Sequence, residues 1–210
     1  MRQEHTGLAH GAGARLDGRV LEDSDETLMF RTGTGDRDAF RQLIERHLGR
    51  MVAFAGRILG DHAGAEDVAQ ETFLRLWTHA SRWQPTARLS TWLHRVALNL
   101  CLDRLGRARD VALDDIAEPR DPGPSLIARM QARDIGRHVN AALAELPAQQ
   151  RVAITLCHYQ GLRNAEAADV MGVSVEAIES LLARGRRTLR TRLRDLLPDL
   201  LGEDDRHADG

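Results

Sequence analysis

Between Arg184 and Arg194 the chain carries six arginines and no acidic residue. Guanidinium groups grip phosphate oxygens and guanine edges in bidentate fashion, and a solvated helix face ordinarily mixes both signs. The run therefore points to DNA, with docking on an acidic protein as the competing reading. A second set of residues suited to nucleic acid lies upstream. Trp83, Gln84 and Arg88 stand in the Pro-containing loop "SRWQPTARLS", and Arg95 and Asn99 follow one turn apart on the helix below it. An aromatic ring can stack on an unpaired base, an amide can hydrogen-bond its edge, and arginine can meet the backbone. Tryptophans also serve as core plugs; that reading is preferred for Trp92, and for Trp83 the residues leave both open. A third set comprises Asp67, Gln70, Glu71 and Leu74, which "AEDVAQETFLRLWTHA" places on one helix face opposite Val68, Ala69, Thr72, Phe73, Leu76 and Trp77. An exposed leucine ringed by acids and an amide suits a partner that is basic at its rim, although single surface leucines are commonplace.

Bond-making chemistry finds no comparable support. The sequence offers no nucleophile–base pairing, metal-ligand spacing or phosphate-cradling loop, which reads as a non-enzyme with no cofactor and no metal. Cys101 and Cys157 lie far apart in apolar helical patterns and fit buried free thiols. The early "GAG" follows no strand and opens no helix, so it is not a dinucleotide loop. No apolar run approaches the roughly 18 residues of a membrane span, and "MRQEHTGLAHGAGARLDG" lacks the apolar stretch of a signal peptide. The expectation is a cytoplasmic protein without membrane insertion. Every one of the 29 basic residues is arginine, which genome composition explains, and the net charge is only -2. Affinity for nucleic acid must then come from local clustering.

The elements that position these residues read as helices throughout. Apolar residues at Phe40, Leu43, Ile44, Met51, Phe54, Ala55, Ile58 and Leu59 follow the 3.6-residue period, with Asp36 to cap the start and Gly60 the end. A second helix begins at Asp61 or His62 and runs to about His79; Pro85 breaks the pattern, and Ser90 or Thr91 opens another. Three prolines and five acids in "DVALDDIAEPRDPGPS" mark a linker. The expected architecture is all-α: a disordered extension over 1–24, a helical domain over 25–109, an acidic Pro-rich linker over 110–125, a second helical domain over 126–197 stopped by Pro198, and a polar tail over 198–210.

Within the second domain, "LRNAEAADVMGVSVEAIESLLARGRR" has the layout of a helix-turn-helix. Asn164 can cap a short helix carrying Ala167, Ala168 and Met171. Gly172 permits a turn with positive φ, Val173 plugs the corner, and Ser174 can cap the helix that enters a major groove. Ala177, Ile178 and Leu181 face inward. Ser180, Arg184 and Arg187 point outward, where Arg184 and Ser180 can read bases; Arg186, Arg190, Arg192 and Arg194 suit phosphates.

Taken together, "AEDVAQETFLRLW", "STWLHRVALNLCLDRLGR" and the helix-turn-helix segment resemble an extracytoplasmic-function (ECF) sigma factor of the sigma-70 superfamily. The resemblance runs from about Asp25 to Leu193. It implies a promoter-specificity subunit made of region 2 and region 4 domains. Asp67, Gln70, Glu71 and Leu74 would meet core RNA polymerase; Trp83, Gln84, Arg88 and Asn99, with Arg95 nearby, would handle the single-stranded minus-ten element; Ser180 and Arg184, supported by Arg186, Arg187 and Arg190, would read minus-thirty-five duplex DNA. It also implies an anti-sigma partner. Glu179 and Leu181 stand where the family often has basic residues, and Gly185 stands where alanine is usual. The rival readings are a stand-alone helix-turn-helix regulator and a sigma-like decoy that binds an anti-sigma protein.

Overall fold

In a computed structural model the described residues are 15–16, 19–20, 23–111, 136 and 138–200. Residues 112–135 and 201–210, which hold most of the linker expected over 110–125, the start of the second domain expected from 126 and most of the tail expected over 198–210, lie outside them, as does most of the extension. The described architecture is helical apart from a two-residue antiparallel ladder pairing Arg15–Leu16 with Arg19–Val20, where the pattern suggested no strand.

Four helices build the N-terminal half: α1 (Asp25–Gly33), α2 (Arg37–Leu59), α3 (His62–His79) and α4 (Leu89–Val111), with a 3-10 turn at Ala80–Arg82 between the last two. Side chains start three of them. Ser24 accepts from the Thr27 amide, Asp36 from Asp38 and Ala39, and Asp61 from Ala63 and Gly64, each satisfying amides that a helix start leaves unpaired. Gly60, at φ 73°, closes α2. Asp25 ties α1 to α2: its carboxylate accepts from Arg46 at 2.7 Å and meets His47 Nε2 at 2.9 Å. The His47 hydrogen bond, helped by Arg46, holds the Asp25 carboxyl below its usual value. Phe54, Leu43, Met51 and Ile58 of α2 are fully buried among Leu28, Leu76 and Leu93 of the neighbouring helices.

The C-terminal half comprises α5 over 138–144, α6 (Ala148–Ile154) widening into a π-helical turn at Thr155–Tyr159, α7 (Asn164–Met171) and α8 (Val175–Leu200). Gly172, at φ 65°, makes the corner between α7 and α8, and Ser174 Oγ accepts from the Ala177 amide at 3.2 Å. Three expectations are corrected. Asn164 is the first residue of α7 rather than its cap; Glu166 reaches back to the Arg163 amide at 2.9 Å and does the capping. α4 begins at Leu89, ahead of Ser90 and Thr91. α8 passes through Pro198 to Leu200, two residues beyond the expected stop.

The two helical domains touch along a seam. α4 packs on α7, α2 touches α6 and the π-helical turn, and one connected set of buried side chains spans both. At the seam the Arg57 guanidinium lies over the Tyr159 ring, 4.1 Å from its centre.

Candidate nucleic-acid and partner interfaces

The face carrying Asp67, Gln70, Glu71 and Leu74 forms as a unit on α3. Val68, Ala69, Thr72, Phe73 and Leu76 are buried behind it, Trp77 is half-buried, and Leu74 is 58% exposed. Its charge differs from expectation. Asp67 is bridged to Arg104 at 3.0 Å and Glu71 to Arg75 at 2.9 Å, so the surface is balanced in sign rather than acidic. Leu74 also stands on a ridge between two grooves. One, of about 610 Å³, is apolar and lined by Phe40, Ile44, Leu48, Phe73 and Trp77. The other, of about 600 Å³, holds Asp67, Glu71, Arg75, Leu100 and Arg104. Leu48 and Arg104 escaped sequence reasoning because they come from other helices, and pairing between helices has no local signal.

The Trp83 loop closes over the start of α4. Trp83, Trp92 and His79 form an aromatic cluster: His79 stacks on Trp92 with centroids 5.4 Å apart and planes 13° apart, while Trp83 stands edge-on to Trp92 at 6.0 Å. Beside the cluster opens a cleft of about 270 Å³ whose walls include Trp83, Gln84, Trp92, Arg82 and Arg95. Both tryptophans are half-buried and packed on the core, so each is partly plug and partly wall. Arg88 and Asn99 are not among the cleft's walls. Arg88 lies with Arg46, His47 and Arg50 around a neighbouring polar hollow, and Asn99 is exposed farther along α4. His79 and Arg82 were missed, although Arg82 lies within the quoted loop and His79 two residues before it; the turn at Ala80–Arg82 brings both to the cleft.

Ser180, Arg184 and Arg187 recur at helical spacing on the outer face of α8, and all are exposed. Among the described residues Arg184, Arg186, Arg187 and Arg190 make no ion pair; Arg192 is bridged to Glu145 at 3.0 Å. Arg186 sits on the flank of the buried stripe, with its Nε donating to the Leu182 carbonyl at 3.2 Å. Leu181 is buried and cannot reach a base, so its departure from a basic residue is a packing matter. Gly185 has a similar explanation: a Cβ there would lie 2.5 Å from Ile154 Cδ1. α6 and α8 are simply that close.

The family now follows from comparison. Residues 43–111 match Sigma-70 region 2, and residues 138–189 match Sigma-70 region 4. Over 189 residues the chain is 36% identical to the ECF RNA polymerase sigma factor SigE of Mycolicibacterium smegmatis, covering 84% of this chain and 72% of that one. The chain belongs to the ECF sigma factors of the sigma-70 family. Two solved structures share its fold. CnrH in complex with the cytosolic domain of CnrY matches with TM-score 0.62 and 30% identity, over 82% of this chain and 99% of that chain. The sigma factor RpoE in complex with the anti-sigma factor NepR from Bartonella quintana matches with TM-score 0.60 and 26% identity, over 76% and 98%. This sigma factor is thus a promoter-specificity subunit for transcription initiation. Neither rival is favoured: a regulator acting through α7 and α8 alone leaves the region 2 match without a role. No described helix is long and apolar enough to cross a membrane.

Proposed function

We propose a division of labour among the three surfaces. The Asp67–Leu74 ridge meets core RNA polymerase, with Gln70 and Leu74 at its centre and the Asp67–Arg104 and Glu71–Arg75 pairs at its rim. The Trp83 cleft, with Gln84 and Arg95 in its walls and Arg88 and Asn99 on either side, receives the opened minus-ten strand. The outer face of α8 reads minus-thirty-five duplex through Ser180 and Arg184, while Arg187, Arg190 and Arg186 hold phosphates. The observation that carries this reading is the α8 surface. Arg184, Arg186, Arg187 and Arg190, without an ion pair among the described residues, follow a turn that presents their helix outward, and arginines that neutralise phosphates release the counterions condensed on DNA.

Strand opening has the same logic. Extruding a base from the stack costs a few kcal/mol, and stacking on an aromatic side chain returns about 1–3 kcal/mol per base. The protein acts by binding and positioning, without a reaction of its own, and works in the cytoplasm where the polymerase is. An anti-sigma protein is its expected antagonist, as the bound state of the RpoE relative suggests.

Run-off transcription with purified core polymerase on genomic promoter fragments tests the proposal. Wild-type protein is expected to give discrete transcripts. Asp67→Arg combined with Glu71→Arg is expected to abolish both transcripts and co-purification with core while helical circular dichroism is unchanged. Undiminished co-purification would remove the α3 ridge from the polymerase interface.

A further inference from the structure

One exposed acid precedes the arginines of α8 without a partner of its own. Glu166 pairs with Arg163, Asp169 with Arg95, and Glu145 with Arg192. Glu176 turns back on the start of its helix, where its own amide and Ser174 hold its carboxyl below the usual value. Glu179, the fifth residue of α8, is exposed and makes no ion pair among the described residues. Ile178 before it and Leu181 and Leu182 after it are buried, so the packing of the helix holds Glu179 outward beside Ser180. Its neighbour one turn on is Ala183, also exposed and too short to answer its charge.

A carboxylate carried into a major groove meets phosphates at the rim and mostly acceptors on the base edges, and left unpaired there it is costly. The donors on those edges are the exocyclic amines of cytosine and adenine. Adenine N6 lies between two acceptors, N7 of its own base and O4 of the paired thymine, and both repel a carboxylate. Cytosine N4 has an acceptor, guanine O6, on one side only. We propose that Glu179 determines specificity in the minus-thirty-five contact by accepting from the N4 amine of a cytosine, a role that rests on assigning the outer face of α8 to that duplex. Residues near the start of a recognition helix are the ones that reach base edges. Glu179 precedes Arg184 by about 7.5 Å along the helix axis, and base pairs are about 3.4 Å apart, so the two side chains address different pairs, about two steps apart. The acid works as much by refusal as by attraction, because a guanine or thymine edge at its position would leave it facing acceptors. A matched contact of this kind separates the right base from the wrong one by roughly 5- to 150-fold.

The test takes a promoter fragment that is transcribed in the run-off assay and randomises the base pairs across its minus-thirty-five element. The intact chain with core polymerase selects from this pool at fixed salt, and the bound duplexes are sequenced. Wild-type protein is expected to enrich cytosine at one position about tenfold or more over the other bases. Glu179→Ala is expected to flatten that position and leave the rest of the preference in place. Glu179→Gln is expected to move the same position toward adenine, since a glutamine amide can accept from N6 and donate to N7 together. Arg184→Ala, expected to flatten a different position, reports on α8 itself. Preferences unchanged in Glu179→Ala while Arg184→Ala flattens a position would overturn the role of Glu179 and leave α8 as the reading helix. So would uniform tightening on every sequence by Glu179→Ala, the mark of bulk repulsion alone, or loss of co-purification with core, the mark of a protein contact. If neither Glu179→Ala nor Arg184→Ala alters any preference, α8 does not read the duplex and both assignments fall together.

Discussion

Two glycines show how differently one residue type can be constrained. At Gly33, the last residue of α1, an added Cβ would lie 2.7 Å from the Ala80 carbonyl oxygen. That oxygen is backbone in the 3-10 turn and cannot rotate aside, so α1 would have to move. Gly33→Ala is expected to lower stability by about 1–3 kcal/mol, the usual range for overpacking, read as a lower urea midpoint at constant slope. At Gly185 the obstacle is the tip of Ile154, which can change rotamer, and alanine restores about 1 kcal/mol of helix propensity. Gly185→Ala is expected to stay within about 1 kcal/mol of wild type. A larger loss than in Gly33→Ala would show that the α6–α8 contact yields less than the α1–turn contact. Neither constraint is legible in the sequence. Gly185 reads there as an unfavourable choice for a helix, because the near approach of Ile154 is a tertiary fact.

At the scale of elements, caps and periodicity were legible and partners were not. Asp36, Gly60, Asp61 and Gly172 act within a few residues of themselves, so their signals survive in sequence, and each does what its pattern implies. The start of α7 shows the limit: Asn164 and Glu166 both suit a helix start, and only the geometry assigns the cap to Glu166. The inward and outward faces of α8 were likewise readable from spacing, while the position of Arg186 beside the buried stripe emerged only with α6 in place. That geometry sharpens a prediction. Arg184→Ala is expected to relax sequence choice on minus-thirty-five duplexes at about 1–3 kcal/mol for a lost bidentate base contact. Arg190→Ala is expected to weaken binding to all sequences and reduce the salt slope by about one. Competition of polymerase holoenzyme between matched and mutated duplexes at several salt concentrations checks both. Uniform losses in both variants would place Arg184 on the backbone as well.

At the scale of the whole molecule, the seam between the halves is what local sequence signals least disclose. It also holds the most informative titratable group. His94 of α4 is 1% exposed, edge-on to Phe54 of α2 at 5.1 Å between centroids, and 2.7 Å through Nδ1 from the Ser90 carbonyl. A carbonyl can only accept, so Nδ1 carries the proton and Nε2 is the bare nitrogen. Burial drives its pKa below the ordinary histidine value against the smaller opposing effects of Ser90 and of Gln160 from the C-terminal half, and the charges of His47 and Arg50 lower it further. The imidazole is therefore neutral in the folded chain, and the unfolded chain binds its proton more readily. The stability this provides is present in full above about pH 6.5, the unfolded value, and is lost as pH falls from there through the folded value, by at most about 1.4 kcal/mol per unit. His94→Asn is expected to lower the urea midpoint near neutral pH, since it forfeits the contact with Phe54, yet to show a shallower decline than wild type between about pH 6.5 and pH 5. The two proteins share every other titratable group, so the difference in slope isolates His94. Parallel declines would mean that the seam opens far enough for His94 to take up its proton without loss of structure.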